Sequence, residues 1–197
     1  MPRRRVRAHP GARGIRADYQ QFGAQGYYQQ FGAAYRNPHE PIVYDLLAQA
    51  VAHWRLPLGR VLDLACGSGE ATLALRPLGA GTIDAADPYT GAAYAARTGQ
   101  AAEPLSFEQI AAGALAGRRY DTIVCSFALH LAPLSRLPAL AIQLGLLADY
   151  LLIITPHKRP AIRAEWGWAP LGELLSARVR ARCYAAALAP GEPHGMV

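Results

Sequence analysis

The sequence predicts an α/β protein in which helices cover both faces of a mostly parallel sheet. Short apolar segments alternate with segments of helical spacing between residues 60 and 155. Strands buried on both faces and separated by helices imply parallel pairing with right-handed crossovers. The chain has 197 residues, of which 52% are hydrophobic and 17% charged, and this composition fits one globular domain.

The chain divides into three parts. Residues 1–16 form a basic arm that we expect to be disordered, residues 17–36 an aromatic cover, and residues 37–197 the α/β domain. Six arginines precede the first acid, Asp18, and the other fourteen basic residues equal the fourteen acids in number. The net charge of +6 therefore belongs to the arm. A domain with equal numbers of basic and acidic residues argues against a nucleic-acid partner, although the basic arm could bind a polyanion.

The cover contains a short repeat and leads into the first helix of the domain. Residues 19–24 return as residues 28–33, and two copies of this length build no repeat array. Asn37, Pro38 and Glu40 predict the helix start, with Asn37 as N-cap, Pro38 at the first position and Glu40 closing a capping box. An apolar stripe between residues 42 and 54 gives this helix one buried face.

The remaining elements follow from periodicity. Strands are expected at residues 60–65, 81–86, near 104–107, 120–127 and 150–155. Helices are expected at residues 69–77, 90–97, 108–115 and 134–147. Residues 168–175 and 179–188 suit an antiparallel hairpin at the sheet edge, although helix also fits this part of the chain.

A turn of small residues after the first strand carries the most chemical information. The strand of residues 60–65 contains Asp63, and the small residues 65–69 then lead into a helix. Such a turn lets a ligand approach the backbone and the helix N–H groups. A glycine turn alone suits many proteins, but the carboxylate disfavours a pyrophosphate and suits a cation. S-adenosylmethionine carries an ammonium and a sulfonium group.

A second carboxylate, Asp87, ends the next strand, 24 residues after Asp63. An acid at this position can accept hydrogen bonds from ribose hydroxyls. The alternative is a helix cap or a turn residue before Pro88. Together with the first turn, Asp87 favours the ribose interpretation.

These features resemble those of the class I S-adenosylmethionine-dependent methyltransferases. The resemblance rests on residues 61–70, Asp87 and the strand at residues 120–126, and it covers about residues 37–155. It implies a Rossmann-like, doubly wound, seven-stranded sheet, mostly parallel with an antiparallel C-terminal edge hairpin, and S-adenosylmethionine as the cofactor. It also implies a set of cofactor-binding residues at the carboxyl ends of the strands: Asp63, Ala65, Cys66, Gly67, Ser68, Gly69, Asp87, Pro88, Ser106, Phe107, Ser126 and Phe127.

Two positions depart from the family pattern. Ala65 stands where the family usually has its first glycine. Ser106 stands where many members carry an acid that contacts the adenine. Acceptor selection is expected to come from the aromatic cover and from the loops after the strands at residues 120–127 and 150–155.

Methyl transfer requires alignment of the acceptor, and a general base only where the nucleophile arrives protonated. The catalytic candidates are His130, His39 and His157. His130 also suits a structural histidine, His39 a residue of the first helical turn, and His157 a residue capping a strand end. The candidates for acceptor binding are Lys158, beside His157, and three cover tyrosines: Tyr27, Tyr28 and Tyr35.

The predicted function is methyl transfer to an oxygen or nitrogen nucleophile of a small molecule or short peptide. The alternatives are an RNA methyltransferase that uses the arm and a non-catalytic cofactor-binding protein. A nicotinamide dehydrogenase is disfavoured because Glu70 stands where its third glycine would be. Three scattered cysteines, Cys66, Cys125 and Cys183, argue against disulfides and against a zinc site. Neither a signal-peptide pattern nor a membrane span is visible, so we expect a cytoplasmic protein. The spacing of the cysteines leads us to expect no metal.

Overall fold

The computed structural model describes residues 36–187 together with Gly26 and Gly32. The basic arm, the tyrosine repeat and the predicted acceptor residues Tyr27, Tyr28 and Tyr35 lie outside the described residues.

Six strands form one sheet in the described part of the chain. They are β1 (Arg60–Leu64), β2 (Thr82–Ala86), β3 (Tyr120–Ser126), β4 (Ala148–Thr155), β5 (Trp168–Ser176) and β6 (Val179–Ala186), in the spatial order β2-β1-β3-β4-β6-β5. The strands β1 to β4 pair in parallel, whereas β6 is antiparallel to both β4 and β5. The mostly parallel sheet with a C-terminal antiparallel hairpin is confirmed.

The strand expected near residues 104–107 is reduced to a single bridge, so the described sheet has six strands instead of seven. Only Glu103 pairs with β2, through a parallel bridge to Ala86. Pro104 has no N–H group to continue the ladder, and Ser106 is already the N-cap of the next helix. The local capping preference therefore prevails over strand extension.

Helices pack on both faces of the sheet, as predicted. They are α1 (Glu40–Trp54), α2 (Glu70–Leu75), α3 (Gly91–Thr98), α4 (Phe107–Ala111) and α5 (Leu137–Leu147). One core cluster contains buried residues of α4, α5 and β4, and a second contains buried residues of α1, α2 and β6. Between residues 36 and 187, no helix has the length and apolar character needed to cross a membrane.

The start of α1 lies later than the sequence predicts. The helix begins at Glu40, and its N-cap is His39, whose side chain makes no capping bond. The side chain of Asn37 instead accepts a hydrogen bond from the His39 N–H at 2.9 Å. The predicted capping box is wrong because the Glu40 carboxylate pairs with Arg97 and does not reach back to Asn37.

Candidate active site

A cavity of about 230 Å³ opens where β1, β2 and β3 end. Ligands of open α/β sheets bind outside the carboxyl ends of the strands, and the cavity lies at that edge. The lining residues come from the turns after these strands, from α4 and from the segment before α1: Asn37, Leu64, Ala65, Cys66, Gly67, Glu70, Asp87, Pro88, Tyr89, Leu105, Ser106, Phe107, Glu108, Ser126, Phe127, Ala128, Leu131 and Pro133.

Asp63 comes just before the lining residues Leu64 and Ala65 in the chain and does not itself line the cavity. Its side chain is fully buried, and its Oδ2 accepts hydrogen bonds from the Thr72 N–H at 3.0 Å and the Thr72 hydroxyl at 2.7 Å. Oδ1 has no hydrogen-bond partner among the described residues. Burial raises the pKa of Asp63 to about 7, although the Thr72 hydrogen bonds partly oppose the rise. A cation near Oδ1 would satisfy this atom and favour the ionised carboxylate.

The turn after β1 adopts left-handed backbone conformations. Ala65 has a φ of 55°, Gly67 of 57° and Gly69 of 91°. At Gly69 a Cβ atom would lie 2.5 Å from Cγ2 of Thr98, so this position requires glycine for space as well as for conformation. Ala65 and Gly67 line the cavity, whereas Gly69 and the buried Ser68 connect the turn to α2 without lining it.

Asp87 joins the two turns that border the cavity. Its Oδ1 accepts hydrogen bonds from the N–H groups of Tyr89 at 2.9 Å and Thr90 at 3.0 Å. Its Oδ2 accepts a weaker bond from the Gly67 N–H at 3.2 Å. Asp87 therefore has the turn role that the sequence left open, and it is also one of the residues that line the cavity.

The segment expected near the adenine also lines the cavity. Ser106 caps α4, with Oγ accepting from the Gln109 N–H at 3.3 Å and its own N–H donating to Gln109 Oε1 at 2.9 Å. Phe107 and Glu108 follow on the first turn of α4. Ser106 is thus engaged in a capping box, and Phe107 contributes an aromatic surface.

Phe127, after the end of β3, brings one predicted catalytic residue to the cavity. Its φ of 54° is unusual for a bulky residue, and its N–H donates to the Ile154 carbonyl at 2.7 Å. The imidazole of His39 stacks on the Phe127 ring, with the ring centres 5.0 Å apart and the planes 10° apart. His39 therefore flanks a cavity-lining side chain.

The other two candidate histidines lie against each other. The rings of His130 and His157 are 4.3 Å apart between centres. Burial and the neighbouring His157 lower the pKa of His130 to about 4, and its Nδ1 has no hydrogen-bond partner among residues 36–187. Neither ring lines the cavity, although Ala128 and Leu131 on either side of His130 do. Lys158 is exposed beside His157.

The sequence reasoning missed a buried ion-pair network under the segment before α1. Glu70 Oε1 accepts from the Asn37 N–H at 3.1 Å and from Arg97 Nη1 at 3.1 Å, and the Ser68 hydroxyl donates to it as well. Arg97 also pairs with Glu40 through Nη2. An acid directly after the glycine turn was the available signal, but it was used only to exclude a dinucleotide motif. No local pattern in the sequence indicates that Arg97, 27 residues further along the chain, is the partner of Glu70.

Comparison with known proteins decides the family. A family model described as a methyltransferase domain matches residues 61–144. A Schizosaccharomyces pombe protein described as uncharacterised is 32% identical over 199 residues, covering 80% of this chain and 77% of the relative. The chain belongs to the class I S-adenosylmethionine-dependent methyltransferases.

Solved structures share the fold of this methyltransferase. Magnesium protoporphyrin IX methyltransferase from Synechocystis, a structure with bound S-adenosylmethionine, has a TM-score of 0.55 and 21% identity over 87% of this chain and 94% of that chain. A ribosomal-protein methylase from Lactobacillus delbrueckii has a TM-score of 0.54 and 18% identity over 77% of this chain and 80% of that chain. At these identities the similarity concerns the fold.

The residues of this methyltransferase fit the cofactor of the family. Among the described residues, the buried Oδ1 of Asp63 has no hydrogen-bond partner, and a ligand with an ammonium group could satisfy it. The cavity is lined by residues 65–67 of the turn, by Asp87 and by Phe107. Their chemistry fits a ligand that combines an ammonium group, hydroxyl groups and a flat ring.

Proposed function

We propose that the protein transfers a methyl group from S-adenosylmethionine to an oxygen or nitrogen nucleophile of a small molecule or short peptide. The observation that carries the proposal is the cavity at the strand ends, next to a β1 carboxylate, Asp63, whose buried Oδ1 has no partner among the described residues. When bound, the cofactor supplies a methyl group on a sulfonium that is already activated. The protein then has to hold the acceptor in line and exclude water.

Each cofactor-binding residue has a distinct role in the proposal. Asp63 supplies the negative charge that balances the ammonium group. Asp87 has accepted three backbone hydrogen bonds, and a carboxylate has about four lone-pair sites, so it retains capacity for a ribose hydroxyl. Ser106 and Phe107 border the adenine, and Ser126 and Phe127 close the site at the end of β3.

His130 is the residue we favour as general base. Its lowered pKa keeps the imidazole neutral at pH 7 but also makes it a weak base. In the proposal it therefore accepts the proton of the acceptor only as the methyl group is transferred, when that proton becomes strongly acidic. His157 contacts the His130 ring and supports that lowered pKa. His39 is the alternative base, because it stacks on the cavity residue Phe127.

The acceptor is expected to meet Lys158 and the three cover tyrosines Tyr27, Tyr28 and Tyr35. We place the protein in the cytoplasm, in agreement with three cysteines that are all free thiols.

Removal of residues 1–16 is the test that separates the acceptor classes. Transfer to a small acceptor is expected to survive the deletion, whereas transfer to RNA through the arm would be lost.

Calorimetric titration with S-adenosylmethionine and S-adenosylhomocysteine tests the cofactor site. The parent protein is expected to bind in the micromolar range, and Asp87→Ala to weaken binding by about 1–3 kcal/mol because hydroxyl partners are lost. Asp87→Asn keeps a side-chain oxygen that can accept the hydrogen bonds of the turn. Its affinity therefore shows how much of the loss in Asp87→Ala comes from a disrupted turn and how much from the lost contact with the ligand. Asp149→Ala, at a half-exposed ion pair with Arg119, is the matched control. The absence of binding by the parent at millimolar ligand would overturn the proposal.

A further inference from the structure

Positive charge gathers on one side of the cavity, at the end of β4 and along the hairpin. Residues 156–183 contain six basic and two acidic residues. Both acids are used locally, because Glu173 pairs with Arg180 and Arg182, and Glu165 pairs with Arg163. Three exposed cations, Lys158, Arg159 and Arg178, are left without an ionic or hydrogen-bond partner in the described part of the chain.

The sheet register places these cations close to the acceptor side of the cavity. Phe127 bonds to β4 at Ile154, and the next residue of β4, Thr155, pairs with Arg180 of β6. Neighbouring strands lie about 4.8 Å apart, so the start of β6 is about 10 Å from Phe127. Lys158 and Arg159 follow β4, and Arg178 precedes β6, so all three leave the sheet at the same edge.

Arg182 holds the loop that carries two of these cations. Its Nη1 donates to the Pro160 carbonyl at 3.3 Å and its Nη2 to the His157 carbonyl at 3.5 Å, while its Nε pairs with Glu173 at 2.7 Å. The contact between the His157 and His130 rings adds a second attachment on the cavity side. The cations of this loop are therefore presented on a supported backbone, which lowers the cost of ordering them around an anion.

We infer that the methyl acceptor is an acid whose carboxylate or phosphate group is held by Lys158, Arg159 and Arg178. The anionic group anchors the acceptor and is not itself the nucleophile. It lies beyond the His130–His157 pair, so that the remainder of the acceptor reaches the cavity past Phe127. The inference rests on the proposed function, since it names the acceptor class of the same site.

Titration with inorganic phosphate and with succinate, in low-chloride buffer, tests the anion site through the backbone amide shifts of residues 157–159 and 161–163. We expect saturable millimolar binding, weakened at least fivefold in the triple variant Lys158→Gln, Arg159→Gln, Arg178→Gln. The control is Arg55→Gln, which removes an exposed cation just after α1 that has no ionic partner among the described residues, and it is expected to bind like the parent. Whichever of the two probes binds more tightly identifies the group as phosphoryl or carboxylate.

Three outcomes would overturn the inference: unsaturable titration, equal affinity in the triple variant, or equal loss in Arg55→Gln. It would also be overturned if a twelve-nucleotide RNA binds a hundredfold more tightly than phosphate and loses that binding in the triple variant, because the partner is then a nucleic acid. Calorimetry with S-adenosylhomocysteine on the same samples reports the cofactor site separately. Failure there with intact anion binding would overturn the proposed function and with it the assignment of a methyl acceptor, while leaving the anion site itself established.

Discussion

Arg97 Nη1 lies 3.1 Å from Oε1 of Glu70, a carboxylate that is only 3% exposed. The same guanidinium pairs with Glu40 at the start of α1 and is itself only 18% exposed. Because Glu70 lines the cavity and also accepts the Asn37 N–H, one cation joins α1, α2 and α3 around the site. The segment before α1 is therefore held against the cavity by buried charge.

Arg97→Met is expected to destabilise the fold strongly. The substitution leaves the buried Glu70 carboxylate without its cation, and breaking a buried pair costs about 3 kcal/mol or more. Urea unfolding measures the loss. Arg119→Met breaks the half-exposed pair with Asp149 and is expected to cost less than about 1 kcal/mol. Equal losses of unfolding free energy in the two variants would show that the buried pair of Arg97 with Glu70 contributes no more to stability than the half-exposed pair.

Cofactor affinity is expected to rise with pH between 5.5 and 7. The pKa of Asp63 is about 7 in the free protein, so at pH 5.5 the carboxyl group is mostly protonated and lacks charge for the ammonium. Ionisation of this group over the interval strengthens binding roughly tenfold. Calorimetry with S-adenosylhomocysteine at several pH values measures the change, and binding should release a proton near pH 6.

Asp63→Asn separates this charge from the structure around it. The amide oxygen can still accept the two Thr72 hydrogen bonds, so the fold is expected to remain. Binding is expected to be weak and independent of pH in this range. A variant that binds with the pH profile of the parent would assign the titration to another group.

Ala65→Gly is expected to stabilise the protein. Ala65 has a φ of 55°, and a left-handed conformation costs a residue with Cβ about 1–2 kcal/mol, a cost that glycine avoids. We expect a net gain of about 1 kcal/mol in the free energy of unfolding. The control is Ala95→Gly in the middle of α3, where glycine costs about 1 kcal/mol. Changes of the same sign at both positions would contradict the explanation.

Gly69→Ala is expected to distort the junction between the turn and α2. The new Cβ would lie 2.5 Å from Cγ2 of Thr98, and the φ of 91° would strain any other residue. Thr98→Ser removes that methyl group, so the double variant should recover the steric part of the lost stability and keep the conformational part. A thermal-unfolding double-mutant cycle measures the coupling. Additive losses would show that the two groups do not meet.

Local patterns were sufficient to predict the frame of the site. The hydrophobic run of β1, the small residues after it and the carboxylate of Asp87 after β2 each lie within a few residues, and periodicity reports which side of an element is buried. They predicted the parallel sheet, the hairpin edge and the turns that line the cavity. The local signals failed where they competed, as at Pro104, where capping at Ser106 ended the expected strand.

The contacts that close the site join residues far apart in the chain, and only the packing of the elements reveals them. Arg97 meets Glu70 across 27 residues, and His130 meets His157 across another 27. Packing likewise buries Asp63 completely and leaves its Oδ1 without a hydrogen-bond partner among the described residues. Such pairs depend on the positions and orientations of several helices and strands at once, a relationship that local residue patterns do not contain.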